Sequence, residues 1–149
     1  MLGRCFIIFE THHVKPEWTL HSGKVIVHVY DLQITEDTGA AFGFTGCSPA
    51  DPTYLTKYDW TKVSSVAYTE SIPIESIVED HPNEFKLSPA GLNAIGKGGI
   101  SPFCFREMKF DVPNEEPEWA FPWLAVVDIG LSYDIPIYTR PRLELIYSP

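Results

Sequence analysis

The sequence has no apolar run long enough to cross a membrane as a helix, which takes about twenty consecutive apolar residues. Near its amino terminus the longest apolar run is Phe6 to Phe9, and Glu10 ends it. A secretory signal needs a longer apolar region and a small-residue cleavage site. A cytoplasmic location and no membrane partner are therefore expected. Cysteine is scarce: Cys5, Cys47 and Cys104 are far apart, odd in number, and form no Cys-x-x-Cys pair. This argues against a disulfide framework and against a thiolate zinc site. It leaves small buried hydrophobes in a reducing compartment. Basic residues are also few, with 11 Lys and Arg against 20 Asp and Glu, a formal net charge of −9. Phosphate backbones and anionic membranes repel such a surface, so direct nucleic-acid binding is disfavoured. Basic proteins remain as partners, and the plainer role of the acidity is solubility.

Motifs that specify a reaction are absent as well. There is no Gly-x-Ser-x-Gly, the turn that exposes a hydrolase serine. Ile95-Gly96-Lys97-Gly98-Gly99-Ile100 lacks the Gly-Lys-Ser/Thr ending of a phosphate-binding loop. It follows a helix instead of opening one, so no helix dipole helps a bound phosphate. It reads as a flexible connection, or at most a lid. His12 and His13 are adjacent and point apart on extended backbone. Glu10 shares a face with His12, but the spacing matches no recognised ligand set, and neither metal nor cofactor is expected.

What is present is a strand pattern. The 149 residues, 44% hydrophobic and 21% charged, suit one globular domain spanning 1–149. Aromatics make up 13% and are spread along the chain, which argues against disorder. Thirteen prolines limit helix length nearly everywhere. From Trp119 to Leu131 every odd position is apolar, the period of a strand with one buried face. Residues 4–11, 24–34, 40–45, 62–74, 103–112, 133–139 and 142–147 read as further strands. In the second of these Val25, Val27 and Val29 share one face, and Ile26, His28, Tyr30, Leu32 and Ile34 the other. Phe42 and Phe44 share a face of the third, where Gly39, Gly43 and Gly46 suggest a bend or bulge. Ser88-Pro89 is a helix start, Leu87 and Leu92 stand at staple positions, and Gly96 supplies a stop. A short helix over 89–95 follows. The fold expected is a mostly β, antiparallel sandwich or barrel with that one helix.

Three functions stay open on these residues. The first is a non-catalytic acidic module that masks a basic protein, in the manner of immunity proteins or phage inhibitors. Its contact residues would come from two acidic stretches, Glu75, Glu79, Asp80 and Glu84, and Glu115, Glu116 and Glu118, because clustered charge steers association. Trp60, Trp119, Phe121 and Trp123 would supply anchors. The second is a small barrel that binds or cyclises an apolar molecule in an aromatic-lined cavity. His28, Tyr30 and Arg106 would be its catalytic groups, with Trp123 beside them. His28 lies on an apolar strand face and could move a proton near neutral pH. Arg106 shares a face with Met108 and Phe110, and a charge among apolar neighbours needs a partner. A hairpin between residues 103–112 and 119–131 would offer it Asp128. The third is a structural or assembly protein.

Overall fold

In the computed structural model, residues 3–34, 39–115, 125–129 and 139–149 are described. The strands in chain order are β1 (Arg4–Glu10), β2 (Thr19–Ile34), β3 (Ala41–Cys47), β4 (Val63–Ala67), β5 (Ile72–Pro73), β6 (Pro82–Lys86), β7 (Ile100–Glu107), β8 (Ala125–Ile129) and β9 (Arg142–Ser148). They form two antiparallel sheets. In the first, the order is β1–β7–β3, with β4 and β5 both along the far edge of β3. In the second, β2 is the centre: β6 pairs with it over Lys24 to His28 and β9 over Thr19 to Ile26. From Val29 to Ile34, across a bulge between Val29 and Asp31, β2 pairs with β8. Among the described residues neither sheet closes into a barrel.

The sheets pack through the faces that alternation places inward. Val25, Val27 and Val29 of β2 and Phe85 of β6 join Phe42 and Phe44 of β3 and Phe103 and Phe105 of β7 in one buried cluster. Phe85 reaches across, with its ring 5.4 Å from that of Phe44 and 5.7 Å from that of Phe105, both edge to face. Each buried ring of this size contributes about 1.5–3 kcal/mol by leaving water, and edge-to-face contacts add about 0.5–1.5 kcal/mol. Of the sandwich or barrel that the strand pattern predicts, the described strands form the sandwich.

The helix α1 (Pro89–Asn93) is shorter than expected. Its start follows the sequence signal, with the Ser88 hydroxyl accepting from the Gly91 N–H at 3.1 Å. It stops at Ala94 because the chain must then fold under itself. A Cβ on Gly96 would lie 2.0 Å from the Ile100 carbonyl oxygen. The glycine-rich segment after it is neither lid nor loose connection. Gly98 N–H bonds to the Val14 carbonyl at 2.8 Å, Thr11 Oγ1 bonds to the Gly96 carbonyl at 2.7 Å, and Gly96 N–H bonds to Ser101 Oγ at 2.9 Å.

Other boundaries also moved. β2 begins at Thr19, where pairing with β9 carries it through Ser22 and Gly23. Residues 62–74 break into β4 and β5, and Val66 faces solvent while Ile74 is buried. β7 ends at Glu107 because the Glu107 carboxylate draws the next amides into a turn. β6 is an addition: Asn83 and Phe85 are buried and Glu84 and Lys86 exposed, but Pro82 and the flanking charges mask so short an alternation. Residues 119–124, 130, 131 and 133–138 of the remaining expected strands lie outside the described residues.

Candidate interaction surfaces

Arg4 and Arg106 stand directly opposite each other in the β1–β7 register. Between them sits Asp111, from the turn after β7. Arg106 Nε donates to Asp111 Oδ2 at 2.5 Å, with side-chain exposures of 3% and 2%. Arg106 also bonds to the Asp111 carbonyl at 2.7 Å. Arg4 grips the same carboxylate with two bonds of 3.0 and 2.7 Å. Burial alone would raise the pKa of Asp111; the hydrogen bonds from Arg4 and Arg106 outweigh it, and the carboxyl titrates below its ordinary range. Glu107, also buried, accepts from the N–H groups of Lys109, Phe110 and Asp111. These bonds tie the ends of β1 and β7 to the turn that follows β7. Arg106 therefore pairs with Asp111 and not with Asp128. The hairpin with Asp128 does not form, because β8 belongs to the second sheet, where Asp128 stands opposite Asp31.

His28 and Tyr30 sit on the outward face of β2, half-buried, with ring centroids 4.6 Å apart. The Tyr30 hydroxyl is buried without a hydrogen-bond partner among the described residues. Arg106 is in the other sheet and fixed to Asp111, so the expected trio is not brought together. Trp123 lies outside the described residues. Among those described, no cluster of His, Cys, Asp and Glu has the geometry to hold a metal ion, and no helix is long and apolar enough to cross a membrane. Burial pushes the Cys47 thiol up to about 12 and the Cys104 thiol up to about 11, which makes both poor nucleophiles.

The first acidic stretch divides. Glu75 lies in a 3-10 turn (Ile74–Ser76), and Glu79 and Asp80 precede β6. All three are exposed, and none forms an ion pair among the described residues. Glu79 Oε1 accepts the Leu32 N–H at 3.3 Å. Glu84 turns away on β6 and pairs with Lys24 at 2.6 Å. Lys24 reaches Glu144 as well, at 3.6 Å. These side chains, with Lys86 and Ile146, line an open groove of about 740 Å³ on the outer face of the second sheet. In the second stretch Glu115 is exposed, and Glu116 and Glu118 lie outside the described residues.

One surface was not singled out from the sequence beyond Trp60. The loop between β3 and β4 exposes Tyr54 by 70%, Leu55 by 47%, Tyr58 by 70% and Trp60 by 42%, with Val66 on β4 exposed by 50%. Its backbone is nonetheless tied down. Buried Asp59 accepts from Ala50 N–H and Thr56 N–H, each at 2.8 Å, and from Thr56 Oγ1 at 2.9 Å. The backbone bonds from Ala50 and Thr56 hold its carboxyl well below the usual range. Arg4 reinforces the loop by donating to the Trp60 carbonyl at 2.6 Å, its guanidinium 4.9 Å from the indole centroid. The sequence clue was present in Tyr54, Tyr58 and Trp60 beside Asp51-Pro52, but aromatics in a β protein read first as core.

The fold places the chain among antiparallel two-sheet β proteins. No protein-family model, curated protein or solved structure matches it.

Proposed function

We propose that this protein is a non-catalytic binding module that docks a basic protein on the segment between β5 and β6. The observation carrying this reading is that Glu75, Glu79 and Asp80 stand exposed there with no cation partner among the described residues, while Glu70 and Glu84 have Lys86 and Lys24. With a net charge of −9 behind it, such a segment speeds the encounter with a cationic surface. The satisfied Arg4–Asp111–Arg106 cluster and the high thiol pKa values of Cys47 and Cys104 support a binding role over a catalytic one.

The test is native mass spectrometry of the protein purified gently from its own source. A stoichiometric basic protein that leaves at high salt is expected. Binding should then weaken in the Glu75→Gln, Glu79→Gln, Asp80→Asn variant. Asparagine tolerates the left-handed φ of 56° at position 80. Absence of such a partner, or a complex indifferent to these substitutions, overturns the reading.

A further inference from the structure

We propose that the basic partner inferred above, on which reading this rests, docks by adding a short extended segment to the edge of β2 beside Glu79. β2 is 16 residues long and β6 only 5. On the β6 side, pairing covers Lys24 to His28. The Val29 carbonyl then accepts the Asp80 N–H at 2.8 Å, and the Val29 N–H donates to the His81 carbonyl at 3.4 Å. β8 takes the opposite edge of β2 as far as Ile34. From Asp31 to Ile34, therefore, no described strand lies along the β6 side. That stretch offers about 13 Å of edge at the rise of a strand. Such an edge is the template that an extended peptide completes with main-chain bonds.

Glu79 stands in for the missing strand and selects the occupant. Its Oε1 accepts the Leu32 N–H at 3.3 Å, where a neighbouring strand would place a carbonyl. An incoming segment has to displace that carboxylate. A segment carrying lysine or arginine gives it a cation in exchange, whereas an uncharged one returns it to water. Glu75 and Asp80 stand exposed in the same segment with no cation partner among the described residues. Lys24 faces Glu84 and Glu144, Lys86 faces Glu70, and Lys109 lies over the Phe110 ring. His81 sets its Nδ1 3.0 Å from the Glu79 carbonyl oxygen. A second copy of this chain would bring Glu75, Glu79 and Asp80 against their own counterparts across a two-fold contact, like charge on like. The slot is also ordered before docking. Buried Asn83 accepts the Val78 N–H at 2.8 Å and donates to the Val78 and His81 carbonyls at 2.9 and 3.0 Å, so little entropy remains to be lost there.

The test is an NMR titration of the intact, isotope-labelled chain with three capped peptides, each taken to about 1 mM. The first is Lys-Val-Lys-Val-Lys, the second Ser-Val-Ser-Val-Ser, and the third the lysine peptide with its backbone nitrogens methylated. The lysine peptide should shift the Leu32 and Ile34 amide resonances and slow their hydrogen exchange, and added salt should loosen it. Methylation keeps the charges and removes the main-chain donors, so the third peptide should bind at least about tenfold more weakly. The serine peptide should also bind at least about tenfold more weakly, for want of a cation. The chain itself is unaltered, so its folding is not in question. Equal binding of the methylated peptide overturns strand addition and leaves docking by charge intact. A serine peptide that matches the lysine peptide overturns the choice of a basic occupant. No response of either amide to any peptide overturns the proposal. Slowed exchange at those amides when the chain self-associates without peptide puts a second copy in the slot and overturns it as well. Native mass spectrometry tests the basic-partner reading itself, so the two ideas fail separately.

Discussion

Replacing Asp111 by alanine removes the one carboxylate between two arginines. Arg106 would keep only its bonds to the Asp111 and Ser64 carbonyls, with its charge still 3% exposed. Arg4 is less trapped at 13% side-chain exposure, and it retains the Trp60 carbonyl. Removing one partner of a buried ion pair costs about 3–5 kcal/mol, because a charge stays behind without compensation. That is a large share of the roughly 5–15 kcal/mol that holds a domain folded. For a chain of this size it lowers the melting temperature by roughly 6–20 °C. Urea unfolding followed by circular dichroism measures the loss. The double variant Asp111→Leu, Arg106→Met removes both buried charges, so it should recover much of that loss, since the desolvation penalty disappears with them. The pair also predicts a pH dependence. The Asp111 carboxyl titrates below its ordinary range in the folded chain, so its contribution is complete above the unfolded value near pH 4 and fades as pH falls through the folded value. The gap between parent and Asp111→Ala should therefore narrow in acid. A loss below about 1 kcal/mol, the scale of an exposed pair, refutes the reasoning, and so does a double variant no better than the single one.

Gly91→Ala should destabilise the chain by about 1–3 kcal/mol despite alanine's better helix propensity. The added Cβ would sit 2.0 Å from the Tyr68 carbonyl oxygen, and a thermal melt reads the outcome. Cys47 and Cys104, with thiols near 12 and 11, should react with a disulfide reagent at pH 8 at least about a hundredfold more slowly than after unfolding in urea. Rapid native labelling of more than one thiol would contradict this. Asp59→Asn weakens the acceptor for the Ala50 and Thr56 amides. Hydrogen exchange at those two positions should accelerate while the core amides of β3 and β7 keep their protection.

Much of the fold was legible where a residue's neighbours in the chain decide its environment. Val25, Val27 and Val29 share one face of their strand by the period of two, and they line the core. Ser88-Pro89 caps its helix by a bond three residues long. The legible part ended where two distant segments had to meet. Arg106 among apolar neighbours announced that it needed a partner, and Asp128, which a hairpin would have offered, is not that partner. Its true partner, Asp111, is five residues away in a turn that the expected strand ran straight through. The acidic stretch failed as a unit for a related reason. Glu84 lies close in sequence to Glu79 and Asp80, but the strand between Pro82 and Lys86 turns it to the outer face beside Lys24.

From the sequence by itself came the inward faces of β2 and β3 carrying Val25, Val27, Val29, Phe42 and Phe44, the antiparallel β class, the short helix after Ser88, and the acidity that points away from nucleic acid. All of these follow from local alternation, capping chemistry and a sum of charges. Tertiary structure alone decided the rest: strand order, the Arg4–Asp111–Arg106 lock, the pairing of Glu84 with Lys24, and that Tyr54, Tyr58 and Trp60 face water. Burial and pairing depend on which residues meet across the sandwich, and a hydrophobic period records only that a face is buried, not what is packed against it.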